Sequence, residues 1–196
     1  MRKLNLPVII ITPAFCVIST ILLFILPLQW SISWLISSAV HELGHTAAIW
    51  LCGVRVYSVK IDIGGAMIET EPMSTKTEML TSAAGPLAGA LILLFYRLWP
   101  VVAVCAMIQT VYNLLPVFPL DGGRILRCAA LLLFPTQAEV VARIMERIVI
   151  ACLFAASAIC LVALELGPIP LLVVWRLYLD NKHIKFPCKR NEQIVQ

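Results

Sequence analysis

The chain has 196 residues, of which 61% are hydrophobic and 13% charged, where soluble domains average roughly 45–50% apolar and about 25% charged residues. That balance excludes a soluble globule, and equally a disordered chain, which needs low hydrophobicity to stay solvated. The formal net charge of +4 comes from scattered residues with no basic stripe, so no nucleic-acid partner is expected.

Apolar runs of ~20 residues each cross a bilayer, and the first covers residues 7–27, just after Arg2 and Lys3. It resembles a secretory signal at its start, but no small-x-small cleavage site follows and the apolar run continues to Pro27, so it reads as a retained anchor. A second span covers 30–52. The polar interval 53–78 then holds a nearly alternating run, 55–63, followed by Gly64-Gly65 and a second β-rich run, 66–70. Gly-Gly between two such runs is a favoured turn and predicts a β-hairpin. Spans three and four follow at 80–98 and 101–115. A Pro- and Gly-rich break at 116–123 leads into a short helical stretch ending at Phe134. Charges between Glu139 and Arg147 mark one face of a helix that becomes span five at 148–164, and a short, tilted span six covers 169–179.

The expected fold class is therefore an all-α polytopic membrane protein, with about six transmembrane helices and a short membrane-associated β-hairpin. Residues 1–180 form the membrane domain and 181–196 a basic tail. Arg2 and Lys3 at one end, and Lys182, Lys185, Lys189 and Arg190 at the other, place both termini in the cytoplasm of a multi-pass cell-membrane protein. With that orientation, Arg97 alone among the 15 Lys and Arg residues falls in an outside loop. The seven cysteines stand singly, without a C-x-x-C pair, and read as small buried apolar residues.

Chemistry concentrates in the second span, where His41-Glu42-Leu43-Gly44-His45 forms an H-E-x-x-H motif. Residues four apart on an α-helix share a face one turn apart, so both imidazoles reach a single zinc ion. Glu42 is placed to take a proton from a water that the metal acidifies. The same residues also fit a polar helix-packing face or a proton relay. Charged groups at mid-span cost ~2.5–3.5 kcal/mol on insertion scales, which favours a functional reading. His41 is about eleven residues from either end of its span, hence ~16 Å deep.

A catalytic zinc needs a third protein ligand. His183 lies among lysines and reads as solvated. Asp121 is the stronger candidate, because Pro116, Pro119, Gly122 and Gly123 around it break the helix, and irregular backbone at membrane depth requires a polar interior. The plainer alternative is an N-cap for the helix that begins near Gly122, a role that need not exclude the first.

These residues resemble the site-2 proteases (peptidase family M50), intramembrane zinc metalloproteases, and most closely their sporulation stage IV FB type. The resemblance rests on His41-Glu42-Leu43-Gly44-His45, on Gly85-Pro86-Leu87-Ala88-Gly89, and on Asn113-x-x-Pro116-x-x-Pro119-Leu120-Asp121-Gly122-Gly123. It implies a metalloendopeptidase with one Zn2+ per chain held by His41, His45 and Asp121, with Glu42 as general base. Asn113 and Pro119 would help position substrate. The hairpin, with Gly64 and Gly65 at its turn, would offer a strand edge to an extended substrate segment. The implied partners are a membrane or membrane-associated protein substrate, the lipid bilayer, and inhibitor or regulatory membrane proteins. The implied setting is regulated proteolysis, such as that of a transcription-factor precursor in sporulation.

The stage IV FB pattern commonly carries a CBS domain after the last span, and none is expected in the residues that follow Asp180. Gly85-x-x-x-Gly89 reads as a helix-packing surface, and Arg124 and Arg127 as lipid headgroup anchors. Two other classes fit parts of the pattern: a transporter or metal permease built on broken helices, and an inactive membrane adaptor.

Overall fold

The computed structural model describes residues 8–62, 65–163 and 167–183. Helices dominate, with one small sheet, and the chain divides into two compact units, Met1–Leu114 and Leu115–Gln196.

The first unit begins with strand β1, Val8–Ile11, where the sequence predicts the start of a helix. A run of β-branched side chains favours the extended form. Helix α1, Pro13–Ile25, starts immediately afterwards. The Thr12 hydroxyl accepts the amide of Phe15 at 3.3 Å, and Pro13 takes the first helical position, where a missing N–H costs nothing.

Helix α2, Leu28–Leu51, follows Pro27. It ends at Gly53, which adopts φ +70°; the Gly53 amide donates to Trp50 O at 3.0 Å and the Val54 amide to Ile49 O at 3.1 Å. Those two bonds satisfy carbonyls that a helix end otherwise leaves unpaired.

The expected hairpin is present as β2, Val56–Asp62, and β3, Gly65–Thr70, antiparallel with Val59 opposite Ile68. Gly64 lies outside the described residues. Strand β1 pairs in parallel with β2, Val8 opposite Ser58 and Ile11 opposite Ile61, giving the order β1-β2-β3.

Helix α3, Thr75–Ile92, is capped by Ser74, whose hydroxyl accepts the Thr77 amide at 3.2 Å, and carries Glu78 in its positive first turn. It continues as a 3-10 turn, Leu93–Phe95. Helix α4, Pro100–Asn113, again has proline in its first turn. Ile92, Ala103 and Ala106 pack with Val40 and Val102 to join α2, α3 and α4.

In the second unit a loop that includes the cis Phe118-Pro119 bond leads to α5, Asp121–Leu133. The expected amphipathic stretch and fifth span are one continuous helix, α6, Ala138–Ala163, and α7 covers Ile169–His183. Val117, Ile150 and Leu177 form one core; Ala130, Ala138 and Ala142 form another. Arg127 is not a headgroup anchor: it is 3% exposed and ion-paired at 2.7 Å with Glu146, itself 1% exposed. A buried guanidinium needs a partner more than it needs a headgroup.

Alanine dominates two of these three clusters, while Phe24, Trp50, Leu94 and Val162 are 77–87% exposed. Two helical segments among the described residues, Thr75–Phe95 and Ala138–Val162, are long and apolar enough to cross a membrane. Helix α2, at 24 residues, has the length but carries a polar stripe through its middle.

Candidate metal centre

The stripe on α2 arises from spacing. Ser33, Ser37, His41 and His45 recur every four residues, which places them on one face. Ser33, Ser37 and His41 are buried, and His45 is partly buried. Helix α4 meets this face with polar groups of its own: the Ser37 hydroxyl donates to Gln109 Oε1 at 2.7 Å, and Gln109 Nε2 donates to the Trp34 carbonyl at 3.2 Å.

One and two turns further along, the two imidazoles converge. The Nε2 atoms of His41 and His45 lie 3.2 Å apart, with ring centroids 4.9 Å apart and planes at 79°. Two nitrogens on one tetrahedral zinc, each at ~2.0–2.1 Å, sit ~3.3 Å apart. The pair therefore has the separation that a shared metal requires.

The tautomer of His45 follows from its other nitrogen. Nδ1 lies 2.8 Å from the Thr81 carbonyl oxygen, which can only accept, so Nδ1 carries the proton and Nε2 is left with a lone pair. A carbonyl that orients a metal-binding histidine in this way is a recurring outer-shell device. Sequence reasoning did not single out Thr81, because its contribution is a backbone oxygen and carries no residue signature.

The small residues make this packing possible. A Cβ on Gly44 would meet the Ala84 carbonyl and Ala88 Cβ, and one on Gly85 would run into the ring of His45. A Cβ on Gly89 would meet Thr110 Oγ1, with His41 Nδ1 3.8 Å away. The Gly85-x-x-x-Gly89 surface thus packs as expected, and what it packs against includes the histidines themselves. Glu42 is partly buried, and its carbonyl accepts the Thr46 hydroxyl at 2.9 Å. Asn113 closes α4 and is partly buried.

In the second unit Asp121 is 8% exposed and is the first residue of α5. The N-cap position falls on Leu120, which makes no side-chain cap bond. Pro119 is partly buried. Gly123 is required locally, since a Cβ there would collide with the backbone of Val117 and Phe118.

Residues 14–120, more than half of the sequence, match the peptidase M50B-like family. The chain belongs to that family. An overlapping stretch of this M50B-like chain, residues 88–156, matches peptidase family M50. A zinc metalloprotease of Methanocaldococcus jannaschii is 32% identical over 108 residues, which cover 47% of this chain and 31% of that protein. The chain thus spans about a third of the length of that curated relative. The solved structure of a site-2 protease from Methanocaldococcus jannaschii is similar with a TM-score of 0.59 at 21% identity, covering 86% of this chain and 84% of that one, so the fold is shared.

Proposed function

We propose that this chain is an intramembrane zinc metalloendopeptidase that hydrolyses a peptide bond in or near a membrane-spanning or membrane-associated protein. What carries this reading is the 3.2 Å approach of His41 Nε2 and His45 Nε2, with Glu42 next to His41 on the same helix. Family membership and an apolar exterior support it. In the fuller form of the proposal the chain crosses the membrane about six times with both termini cytoplasmic, residues 1–180 forming the protease domain and 181–196 a basic tail.

His41, His45 and Asp121 are the proposed ligands; two imidazole nitrogens and a carboxylate oxygen are a donor set that can hold one metal ion. Zinc, when bound, acidifies a water to a pKa of ~7 and polarises a carbonyl. Glu42 takes a proton from the attacking water at a carboxylate oxygen and returns it to the leaving amine. The Thr81 carbonyl keeps His45 in the tautomer whose Nε2 is unprotonated. Asn113 and Pro119 help position the substrate chain beside the metal, and the hairpin, including Gly64 and Gly65, offers main-chain hydrogen bonds to a segment drawn out of its helix. A helical peptide bond must be extended before a water can reach its carbonyl.

Regulated cleavage of a membrane-associated precursor, as in the sporulation-type proteases, is the proposed setting. A metal permease would have no need of a carboxylate between its two histidines, so that reading is the weaker one.

The test compares membrane-protein fragments from cells carrying the native chain and Glu42→Gln. An uncleaved precursor that accumulates only with the variant identifies the substrate. Undiminished cleavage by Glu42→Gln would overturn the proposal.

A further inference from the structure

The second unit contains a polar cluster that the proposed chemistry does not use. Arg127 on α5 and Glu146 on α6 are joined by two hydrogen bonds, Nε to Oε1 at 2.7 Å and a terminal guanidinium nitrogen to Oε2 at 3.0 Å. Asn181 on α7 donates through Nδ2 to Glu146 Oε2 at 3.0 Å, and the same nitrogen lies 3.0 Å from the Phe118 carbonyl oxygen. The Arg127 guanidinium also stacks over the Phe118 ring, 4.1 Å from its centroid. Phe118 is therefore held by its ring and by its backbone.

Stability alone is a weak reason for such a cluster. Taking two charges out of water is costly, and replacing a buried ion pair by apolar side chains of matching volume is often neutral or stabilising. Apolar packing could also hold these elements together, as Val117 of the loop, Ile150 on α6 and Leu177 on α7 do nearby. What the polar cluster adds is direction. Its contacts fix one loop residue, Phe118, three positions before Asp121. The loop in turn lies against the first turn of α5, where Gly123 leaves room for the Val117 and Phe118 backbone. Leu120 closes it, donating its amide to Val117 O at 3.0 Å.

We infer that Arg127, Glu146 and Asn181 are positioning residues: they lock the Phe118 loop and thereby set the direction in which the first turn of α5 presents the Asp121 carboxylate to the metal. This rests on the assignment of Asp121 as a zinc ligand. Groups that orient a ligand typically change metal affinity 10- to 100-fold when removed, so metal retention is where loss of the cluster should be read.

The experiment uses the full chain in detergent. Arg127→Met combined with Glu146→Leu removes the ion pair at similar volume; Asn181→Leu removes the hold on the Phe118 carbonyl and leaves the pair. Zinc affinity is measured by competition with a chelator, and thermal unfolding is followed on the metal-free protein. Both variants should bind zinc about 10- to 100-fold more weakly, while the metal-free double variant unfolds at or near the native temperature and metal-free Asn181→Leu stays folded, shifted only by the loss of its hydrogen bonds. Native zinc affinity in either folded variant would overturn the inference alone. A native chain that binds no zinc would overturn the metal assignment and this inference with it.

Discussion

The imidazole of His45 rests on Gly85, so closely that a Cβ at that position would run into Nε2, Cε1 and Cδ2 of the ring. The ring cannot swing aside freely, because its Nδ1 is tied to the Thr81 carbonyl 2.8 Å away. One methyl group on α3 would therefore break either the Thr81 bond or the convergence with His41. Gly85→Ala should lower zinc per chain well below one and abolish cleavage. Its effect on unfolding of the metal-free protein should stay within the about 1–3 kcal/mol typical of overpacking. Metal analysis of the purified variant checks this.

Glu42→Gln should separate binding from chemistry. The amide keeps the shape and cannot take a proton, so zinc content should match the native chain while the rate of peptide cleavage falls by roughly 10²–10⁴-fold, the usual contribution of a general base. His41→Ala and Asp121→Ala should lose zinc as well as activity. Full metal content in Asp121→Ala would remove that residue from the ligand set.

Metal removal should be visible in stability. A ligand present at about 1,000 times its dissociation constant stabilises the folded state by about 4 kcal/mol. Treatment with a strong chelator should lower the unfolding temperature, and zinc should restore it. In His41→Ala neither treatment should shift the transition.

Ser37→Ala leaves buried Gln109 Oε1 without the hydroxyl that donates to it at 2.7 Å. The expected loss is about 0.5–2 kcal/mol, in the range of a buried hydrogen bond between helices. Combining it with Gln109→Leu should cost less than the sum of the two single changes, because both partners then go together. Denaturant titration in detergent would show this, and strict additivity would refute the pairing.

Much of the first unit was legible because its signals are local. The four-residue step from His41 to His45 fixes a shared face on any α-helix, and Gly-Gly between two β-rich runs marks a hairpin. The strand at Val8–Ile11 was missed because a short apolar run reads equally as strand or buried helix. The Thr12-Pro13 start of α1 was the available clue. The pairing of Arg127 with Glu146 was not legible, since it depends on α5 and α6 meeting in space and neither residue shows its partner by spacing. The oxygen of Thr81 was invisible for a different reason: every residue has a carbonyl, and only the fold says which one is used.

The parallel alignment of β1 with β2 imposes an order of events during synthesis. Strand β1 leaves the ribosome before β2, which follows only after α1 and α2 have been made. At 5–20 residues per second that interval is roughly 2–9 s. For that time the β-branched segment Val8–Ile11 has unpaired amides and carbonyls and must be kept from pairing elsewhere, so the sheet can close only after α1 and α2 have been made.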